Sequence, residues 1–395
     1  PPGPRLPSAP AFAARMRSTL GGLPASTKIF FLTTLIFVVL FAGSLVFLKR
    51  KRAEDAAIRA ASERLEEART QKQSADAALI YGNADEARTL LASARERAFE
   101  VERTPYYDEQ VAELLQRIQE VEDTTERITR VAEPARVGDF GSVVASGQVL
   151  GLQVIGAHLY AFSPETNAIL RLAVDNGETS VVSQTSEGIG YFQDAAPLAA
   201  EKMLLFTTDS PGLALFDTAR GDLIKQEISG LAEGTKEIKS LATFARRLYL
   251  LLPDQRQIYG FSKTLAGYTG GAPWLKDEQV PVERAVSMGV DGYIYLLTSD
   301  GKIVKLLKGS PVEFAQSALT RPLEAPTRLV VNETLKHLYV LDPPQKRVVV
   351  YDTTGELTGQ FLFPNAQSLR DIAIGRKEEI LYLIDGTGVF KVPLK

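Results

Sequence analysis

The sequence predicts an all-β six-bladed propeller that follows a single transmembrane helix and an α-helical hairpin stalk. Three features of the 395-residue chain support this prediction: a 20-residue run without charge, a long stretch rich in Ala, Glu and Arg, and a phrase that recurs six times at nearly constant spacing. We therefore divide the chain into a linker (residues 1–27), a transmembrane helix (28–49), a stalk (50–134) and a propeller (135–395).

The linker is rich in Pro, Gly, Ser and Ala and has no periodic apolar face. This composition is typical of a flexible tether, and an unstructured tail has the same signature. The first residue is Pro1 rather than Met. We therefore expect the chain to be the C-terminal part of a longer product, whose missing part could carry an activity of its own.

The uncharged run Ile29–Leu48 lies between Lys28 and Lys49 and contains only three polar residues. A helix of this length spans the roughly 30 Å hydrocarbon core of a bilayer at about 1.5 Å per residue. A signal peptide has a shorter apolar run that ends at a small-residue cleavage site, and a buried core helix has a more polar face. The run therefore predicts a single-pass membrane anchor.

The charges that flank the run favour one orientation of the anchor. Within 20 residues of the run, six Lys and Arg residues follow it and three precede it. The positive-inside rule then places the C-terminal domain in the cytoplasm. Long domains are translocated largely regardless of local charge, and the sequence upstream of the chain is missing, so the rule is weak here.

Residues 49–133 contain a single glycine, Gly82, and a single proline, Pro105, which separate three helical runs. The second and third runs each repeat apolar residues at helical spacing, which predicts an antiparallel hairpin. The stretch "ADAALIYGNADEARTLLASA" resembles a tetratricopeptide-type helical hairpin, with small residues where helices would cross. A plain coiled-coil stalk is the alternative interpretation.

The repeated phrase has the form "HLYVLDPPQKRVVVYD", two short strands around a turn. Six copies align on an anchor position with spacings of 44, 45, 46, 44 and 43 residues. The anchors are Tyr160, Leu204, Tyr249, Tyr295, Tyr339 and Tyr382. A further apolar run precedes each phrase and another can follow it, which gives four strands in about 44 residues, the size of one propeller blade.

The last repeat ends at Lys395 and lacks a fourth strand. An extra strand, Asp139–Ser146, precedes the first full repeat. We predict that this strand pairs with the final blade, because the pairing closes the ring and covers a sheet edge that would otherwise stay open.

The period and the aromatic-anchored strand of residues 137–395 resemble the propeller class that includes NHL and YVTN-type repeat proteins. The whole layout resembles bacterial membrane receptors in which a PPM-type phosphatase or Ser/Thr kinase domain is joined through one helix to an outer propeller. The resemblance implies an upstream cytoplasmic signalling domain and an extracytoplasmic propeller, against the charge rule. No phosphatase or kinase motif lies in the chain itself.

Several classes of chemistry find no support in the sequence. The chain has no cysteine, and its net charge of −3 argues against nucleic acid as a partner. The two histidines, His158 and His337, share one repeat position that four other residue types also fill, which indicates a surface site at a strand start. Asp300, Asp342 and Asp385 fall in turns, where turn formation explains them. We predict no catalytic residue, no metal and no cofactor.

Ligands of propellers usually bind at the axial mouth, where the innermost strands begin. The residues eleven positions before the six anchors are Val149, Gln193, Ile238, Arg284, Arg328 and Asp371. An Arg284–Arg328 pair could hold a carboxylate or a phosphate, whereas a structural salt bridge from arginine to Asp371 is the alternative. Trp274, the only tryptophan, could be a contact hot spot or ordinary packing against its own blade.

These observations leave three hypotheses for function. The first is a non-enzymatic binding or sensor module on a membrane anchor, with an unknown protein or an anionic ligand at the propeller. The second is a propeller hydrolase or lyase that acts at the axial mouth. The third is a scaffold whose helical stalk binds a protein partner. The lack of a convergent acid–base or metal set in the sequence favours the first and the third.

Overall fold

The computed structural model describes residues 24–144, 147–184, 188–265 and 267–394. Two compact units divide the chain, Pro1–Val121 and Glu122–Lys395. The described part of the first unit is helical, and that of the second forms six β-sheets.

The α-helices of the described residues are α1 (Ala25–Ile80), α2 (Ala84–Glu102) and α3 (Asp108–Thr125). Helix α1 runs for 56 residues without a break. Its N-terminal part is, by length and composition, the one described helical segment able to cross a membrane. The described large apolar side chains from Ile29 to Leu48 are 43% to 73% exposed, so no described part of the unit covers them.

Helices α1 and α2 meet at a tight turn. Gly82 has a φ of +77°, a conformation that glycine adopts without strain and that ends α1. Asn83 then caps α2, because its side chain accepts from the Glu86 N–H and donates to the Glu86 carboxylate. Both helices bury mainly alanine and leucine, which allows a close approach, and the buried face of α3 joins the same cluster.

The second unit contains five four-stranded sheets and one five-stranded sheet, which we number as blades in chain order. The strands of blade one are β3 (Leu150–Ile155), β4 (His158–Ser163), β5 (Ala168–Ala173) and β6 (Thr179–Gln184). Those of blade two are β7 (Phe192–Leu198), β8 (Met203–Thr208), β9 (Gly212–Asp217) and β10 (Leu223–Gln226). Those of blade three are β11 (Ser240–Phe244), β12 (Arg247–Leu252), β13 (Gln257–Lys263) and β14 (Tyr268–Pro273).

The strands of the first three blades were named from the axis outward, and those of the other three blades are named in the same way. The strands of blade four are β15 (Ala285–Val290), β16 (Ile294–Thr298), β17 (Ile303–Leu307) and β18 (Ser310–Pro311). Those of blade five are β19 (Arg328–Val330), β20 (His337–Asp342), β21 (Arg347–Asp352), β22 (Leu357–Leu362) and, from the start of the unit, β1 (Ile128–Arg130). Those of blade six are β23 (Leu369–Ile374), β24 (Ile380–Asp385), β25 (Gly388–Pro393) and β2 (Ala135–Asp139).

The six innermost strands form a closed ring, since each contacts the innermost strands of its two neighbours. Each gap between neighbouring blades holds its own cluster of buried apolar side chains. A four-stranded sheet has two apolar faces, and stacking around an axis buries both. The predicted six-bladed propeller is confirmed.

A strand from the start of the unit closes the ring, but it is not the one predicted. Strand β2 pairs antiparallel with β25, from Ala135 opposite Lys391 to Asp139 opposite Gly388. The predicted strand Asp139–Ser146 is therefore wrong beyond Asp139. Phe140–Ser142 forms a 3-10 turn whose Gly141 N–H donates to the Asp139 carboxylate, and residues 145–146 lie outside the described part.

Blade five has a fifth strand, which comes from a segment expected in the stalk. Strand β1 runs parallel to β22, with Ile128 opposite Gln360. The Gln360 side chain donates to the Glu126 carbonyl, and the Thr320 hydroxyl donates to the Glu126 carboxylate. The chain is thus fixed to blade five before it reaches blade six.

Candidate functional site: the axial cavity

The innermost strands surround a cavity of about 640 Å³ along the propeller axis. Every blade contributes to its wall, from the start of the innermost strand to the loop that follows. Arg328 lies at the strand-start end of the cavity, and Glu201, Lys202, Glu333 and Arg376 lie at the loop end.

Five polar side chains occupy one register position at the strand-start end, and we call them the axial layer. Four of them pair with the residue two positions after the anchor of their blade; they are Ser240, Ser287, Arg328 and Asp371. The fifth, Asp194, pairs with Thr207, three positions after the anchor Leu204. The pairing also corrects the alignment of blade two. Leu205, not Leu204, occupies the third position of β8, as Tyr339 does in β20, so the aligned residue of blade two is Asp194 rather than Gln193.

Arg328 lies between the two carboxylates of the axial layer. Its Nη1 is 2.5 Å from Asp194 Oδ1, and its Nε is 3.4 Å from Asp371 Oδ1. The Asp194 and Asp371 side chains are each 5% exposed, and the Arg328 side chain is 17% exposed. The predicted salt bridge to Asp371 is therefore present, and the arginine is neutralised by a second carboxylate that the sequence alignment had missed.

The layer also joins neighbouring blades through backbone N–H groups. Asp371 of blade six accepts from the Leu152 N–H of blade one at 2.9 Å. Asp194 of blade two accepts from the Leu241 N–H of blade three at 3.2 Å and from the Ser240 hydroxyl at 2.9 Å. The Ser287 hydroxyl of blade four accepts from the Leu329 N–H of blade five at 3.1 Å. Blades two, four and six each carry a β-bulge beside this residue, which turns its side chain toward the next blade.

Burial and neighbouring charges shift the pKa values within the layer. Burial raises the pKa of Asp371, and Arg328 and the two N–H donors to its carboxylate offset this rise only in part. Burial by itself lowers the pKa of Arg328, but Asp194 and Asp371 outweigh it and raise the pKa above its ordinary value. Arg328 therefore stays a cation whose charge is balanced by the protein's own anions.

Arg284 does not belong to the axial layer. It is the last residue of a short 3-10 turn, and its guanidinium donates to Asp300 at 3.0 Å with both side chains about half exposed. Ser287 takes the layer position of blade four. The offset of eleven residues fails there because the loop between the first two strands of blade four is shorter than in blades five and six. Arg284 does not line the axial cavity with Arg328, and an anion site shared by the two arginines stays a prediction.

Trp274 lies after β14, outside the cavity wall. Its ring meets Tyr249 edge to face at 5.9 Å between centroids, and it packs partly buried against the cluster between blades three and four. This is the packing alternative that the sequence left open, and a role as a contact hot spot stays a prediction.

The histidines and the turn aspartates have structural partners within the propeller. His337 Nδ1 is 3.2 Å from the Glu378 carboxylate, which also accepts from the His337 N–H. Asp342 and Asp385 bind Arg347 and the Gln367 N–H respectively. Among the described residues, no three His, Cys, Asp or Glu side chains form a group that could hold a metal ion.

Comparison with known proteins adds little beyond the fold. No known family and no curated protein sequence matches the chain. Solved structures that resemble it include a chain of the mitotic checkpoint complex (10% identity, TM-score 0.48, 67% of this chain and 95% of that one). Others are virginiamycin B lyase from Staphylococcus aureus (12%, 0.45, 67% and 89%) and a chain of the nidogen/laminin complex (13%, 0.41, 54% and 80%). The propeller assignment rests on the chain's own strand pairing, and this fold is compatible with a protein-binding module.

Proposed function

We propose that this chain is a membrane-anchored binding module whose propeller holds a ligand in the axial cavity without converting it. The observation that carries the proposal is the cavity itself, about 640 Å³ in volume and lined by all six blades. This volume lies in the range of small-molecule sites, which are concave, largely preformed and few per protein.

The hydrogen bonds that the axial carboxylates accept from the protein support binding over catalysis. A general base or a metal ligand needs a free lone pair that faces the substrate. The Asp371 oxygens accept from two backbone N–H groups beside Arg328, and the Asp194 oxygens accept from Ser240, Leu241, Ala195 and Arg328. These carboxylates are therefore committed to holding the ring together.

A ligand screen with a matched pair of variants tests this function. Thr243→Trp places an indole in the cavity wall, and Thr269→Trp makes the same change in the outermost strand of the same blade. We expect compounds that raise the melting temperature of the full chain to do so in Thr269→Trp but not in Thr243→Trp. Compounds that stabilise both variants equally would place the binding site outside the axial cavity. Chemical conversion of such a compound during incubation would contradict the non-enzymatic role.

The membrane anchor is the second part of the proposal, and the exposed apolar segment of α1 supports it. We expect the full chain to stay in the membrane fraction after alkaline extraction, and Leu40→Arg to release part of it, because a charge at the centre of a span costs about 2.5–3.5 kcal/mol. Complete extraction of the parent chain would contradict an integral anchor.

An extracytoplasmic propeller coupled to a signalling domain upstream of Pro1 is the third part, and the layout of anchor and propeller supports it. Protease added to spheroplasts should remove the propeller while a cytoplasmic marker stays intact. Protection of the propeller until lysis would favour the orientation given by the flanking charges.

A further inference from the structure

The loop end of the axial cavity extends into a cleft between blades one and two. The basic side chains at this end differ from Arg328 of the axial layer in their ion pairing. Four cations line the cavity: Arg171, Lys202, Arg328 and Arg376. Arg328 is neutralised within the layer. The other three make no ion pair with any residue that the structure describes.

Two acidic residues line the same cavity and do not neutralise this cleft. Glu201 is engaged by Lys263 of blade three, and Glu333 is exposed on the loop of blade five. Three unpaired cations therefore face one unpaired carboxylate at this end of the cavity, and the local charge is positive.

Strand pairing brings the cleft residues together. Arg171 lies directly opposite Tyr160 across β4 and β5, and the Tyr160 ring approaches Phe216 of blade two at 6.3 Å between centroids. Burial raises the pKa of the Tyr160 hydroxyl, and Thr218 and Arg171 oppose this rise, so all three groups are close enough to interact. Arg171 is half-buried, which is an uncommon environment for an arginine without a counter-ion.

Lys202 is held in place by its backbone. It has a φ of +55°, a left-handed conformation that side chains rarely adopt. The Thr218 N–H and hydroxyl both donate to the Lys202 carbonyl, at 3.1 Å and 2.5 Å. Strained residues that the surrounding structure fixes in this way are frequent at ligand sites.

We propose that this cleft binds the carboxylate or phosphate group of the ligand that occupies the axial cavity, with Arg171 and Lys202 as the binding cations. This inference rests on the proposed binding function and names the chemical class of its ligand. The Arg171 guanidinium presents a planar fork of N–H donors that fits two oxygens of one anionic group, and the Lys202 ammonium adds a point charge from the neighbouring blade two.

Two variants and one matched control test the cleft in the full chain. Lys202→Asn removes the charge and keeps a residue type that tolerates the left-handed conformation. Lys308→Asn makes the same change at another exposed left-handed lysine, on blade four and outside the cavity wall. Arg171→Gln removes the second cation.

The probes are inorganic phosphate and citrate, titrated at constant ionic strength and followed by the melting temperature. We expect saturable stabilisation of the parent chain and of Lys308→Asn, and an apparent affinity at least tenfold weaker in Lys202→Asn and in Arg171→Gln. A preference for phosphate or for citrate identifies the anionic group. Equal stabilisation of all four proteins, or none of the parent chain by either anion, would overturn the proposal.

The outcome separates the cleft from the proposed function. Thr243→Trp could abolish stabilisation by the screened compounds while Lys202→Asn and Arg171→Gln bind both anions as the parent does. In that case the binding function is supported and the cleft assignment is wrong. If instead the cleft variants lose anion binding and Thr243→Trp is stabilised by the same compounds as the parent, the cleft assignment is supported and the axial binding function is wrong.

Discussion

Arginine occurs in two contrasting environments along the same axial cavity. In the axial layer, Arg328 lies between two buried carboxylates that also accept backbone N–H groups from the next blade. In the cleft between blades one and two, Arg171 is half-buried and has no counter-ion among the described residues. The first arrangement holds blades together, and the second leaves charge available to a ligand. The difference shows that a buried cation identifies a binding site only after its anions have been located.

The largest expected effect comes from Arg328→Met. The change leaves Asp194 and Asp371 buried without their cation, and breaking a buried ion pair by removing one partner typically costs about 3–5 kcal/mol. The free energy of unfolding from denaturant titration measures this loss. The control is Arg171→Met, which should cost much less because no anion depends on that arginine. Similar losses in both variants would remove the distinction between the two environments.

Ser287→Ala tests whether the layer joins blades through its N–H bonds. The Leu329 N–H would lose its acceptor in a buried setting, and an unsatisfied buried donor costs about 1–3 kcal/mol. Ser180→Ala in β6, at a half-exposed position, serves as the control and should change the stability by less than about 0.5 kcal/mol. If the two serine variants unfold alike, the bond between blades four and five contributes nothing.

Much of the propeller could be predicted from sequence, because each blade is a local unit whose hairpins repeat at a regular interval. The four-stranded pattern and the need for a closing strand follow from that regularity. Strand β1 could not be predicted, since three residues that pair in parallel more than 200 positions away leave no local pattern. The axial layer was found only in part. Arg328 and Asp371 share one offset from their anchors, whereas the short loop of blade four moves Ser287 away from it.

The cleft was missed for a different reason. Arg171 is one polar residue in an otherwise apolar strand, and Lys202 begins a hairpin that resembles the other five. Only the approach of two blades shows that both lie on one cavity without counter-ions. Aligning each strand by its start rather than by its aromatic residue would have identified Asp194 in blade two, and with it the second anion of Arg328.

A carboxylate in a turn should respond to pH in a way that buried Asp371 does not. Burial alone raises the pKa of Asp352, but hydrogen bonds from the Thr354 hydroxyl and from the Thr354, Gly355 and Glu356 N–H groups lower it below its ordinary value. The unfolded chain then binds the proton more tightly. The stabilisation is present above about pH 4 and is lost as the pH falls through the lower, folded-state pKa.

Asp352→Asn should therefore destabilise the propeller by about 1 kcal/mol at neutral pH, and by less as the pH falls below 4. Denaturant titrations at several pH values measure the difference between parent and variant. A difference that stays constant down to pH 2 would mean that the Asp352 charge does not contribute to stability.

The smallest effect is expected for Arg284→Gln, and it completes the contrast with Arg328. Arg284 pairs with Asp300 at 3.0 Å, but both side chains are about half exposed, and surface ion pairs contribute about 0–1 kcal/mol. Asp300 also keeps the Thr298 hydroxyl as a hydrogen-bond donor after the change. We expect a loss of under about 0.5 kcal/mol that disappears in 1 M salt, because exposed charges are screened at that concentration. Citrate binding should equal that of the parent, since Arg284 does not line the cavity. Weaker citrate binding in Arg284→Gln would instead favour the site near the strand starts that the sequence predicted, and would count against the cleft between blades one and two.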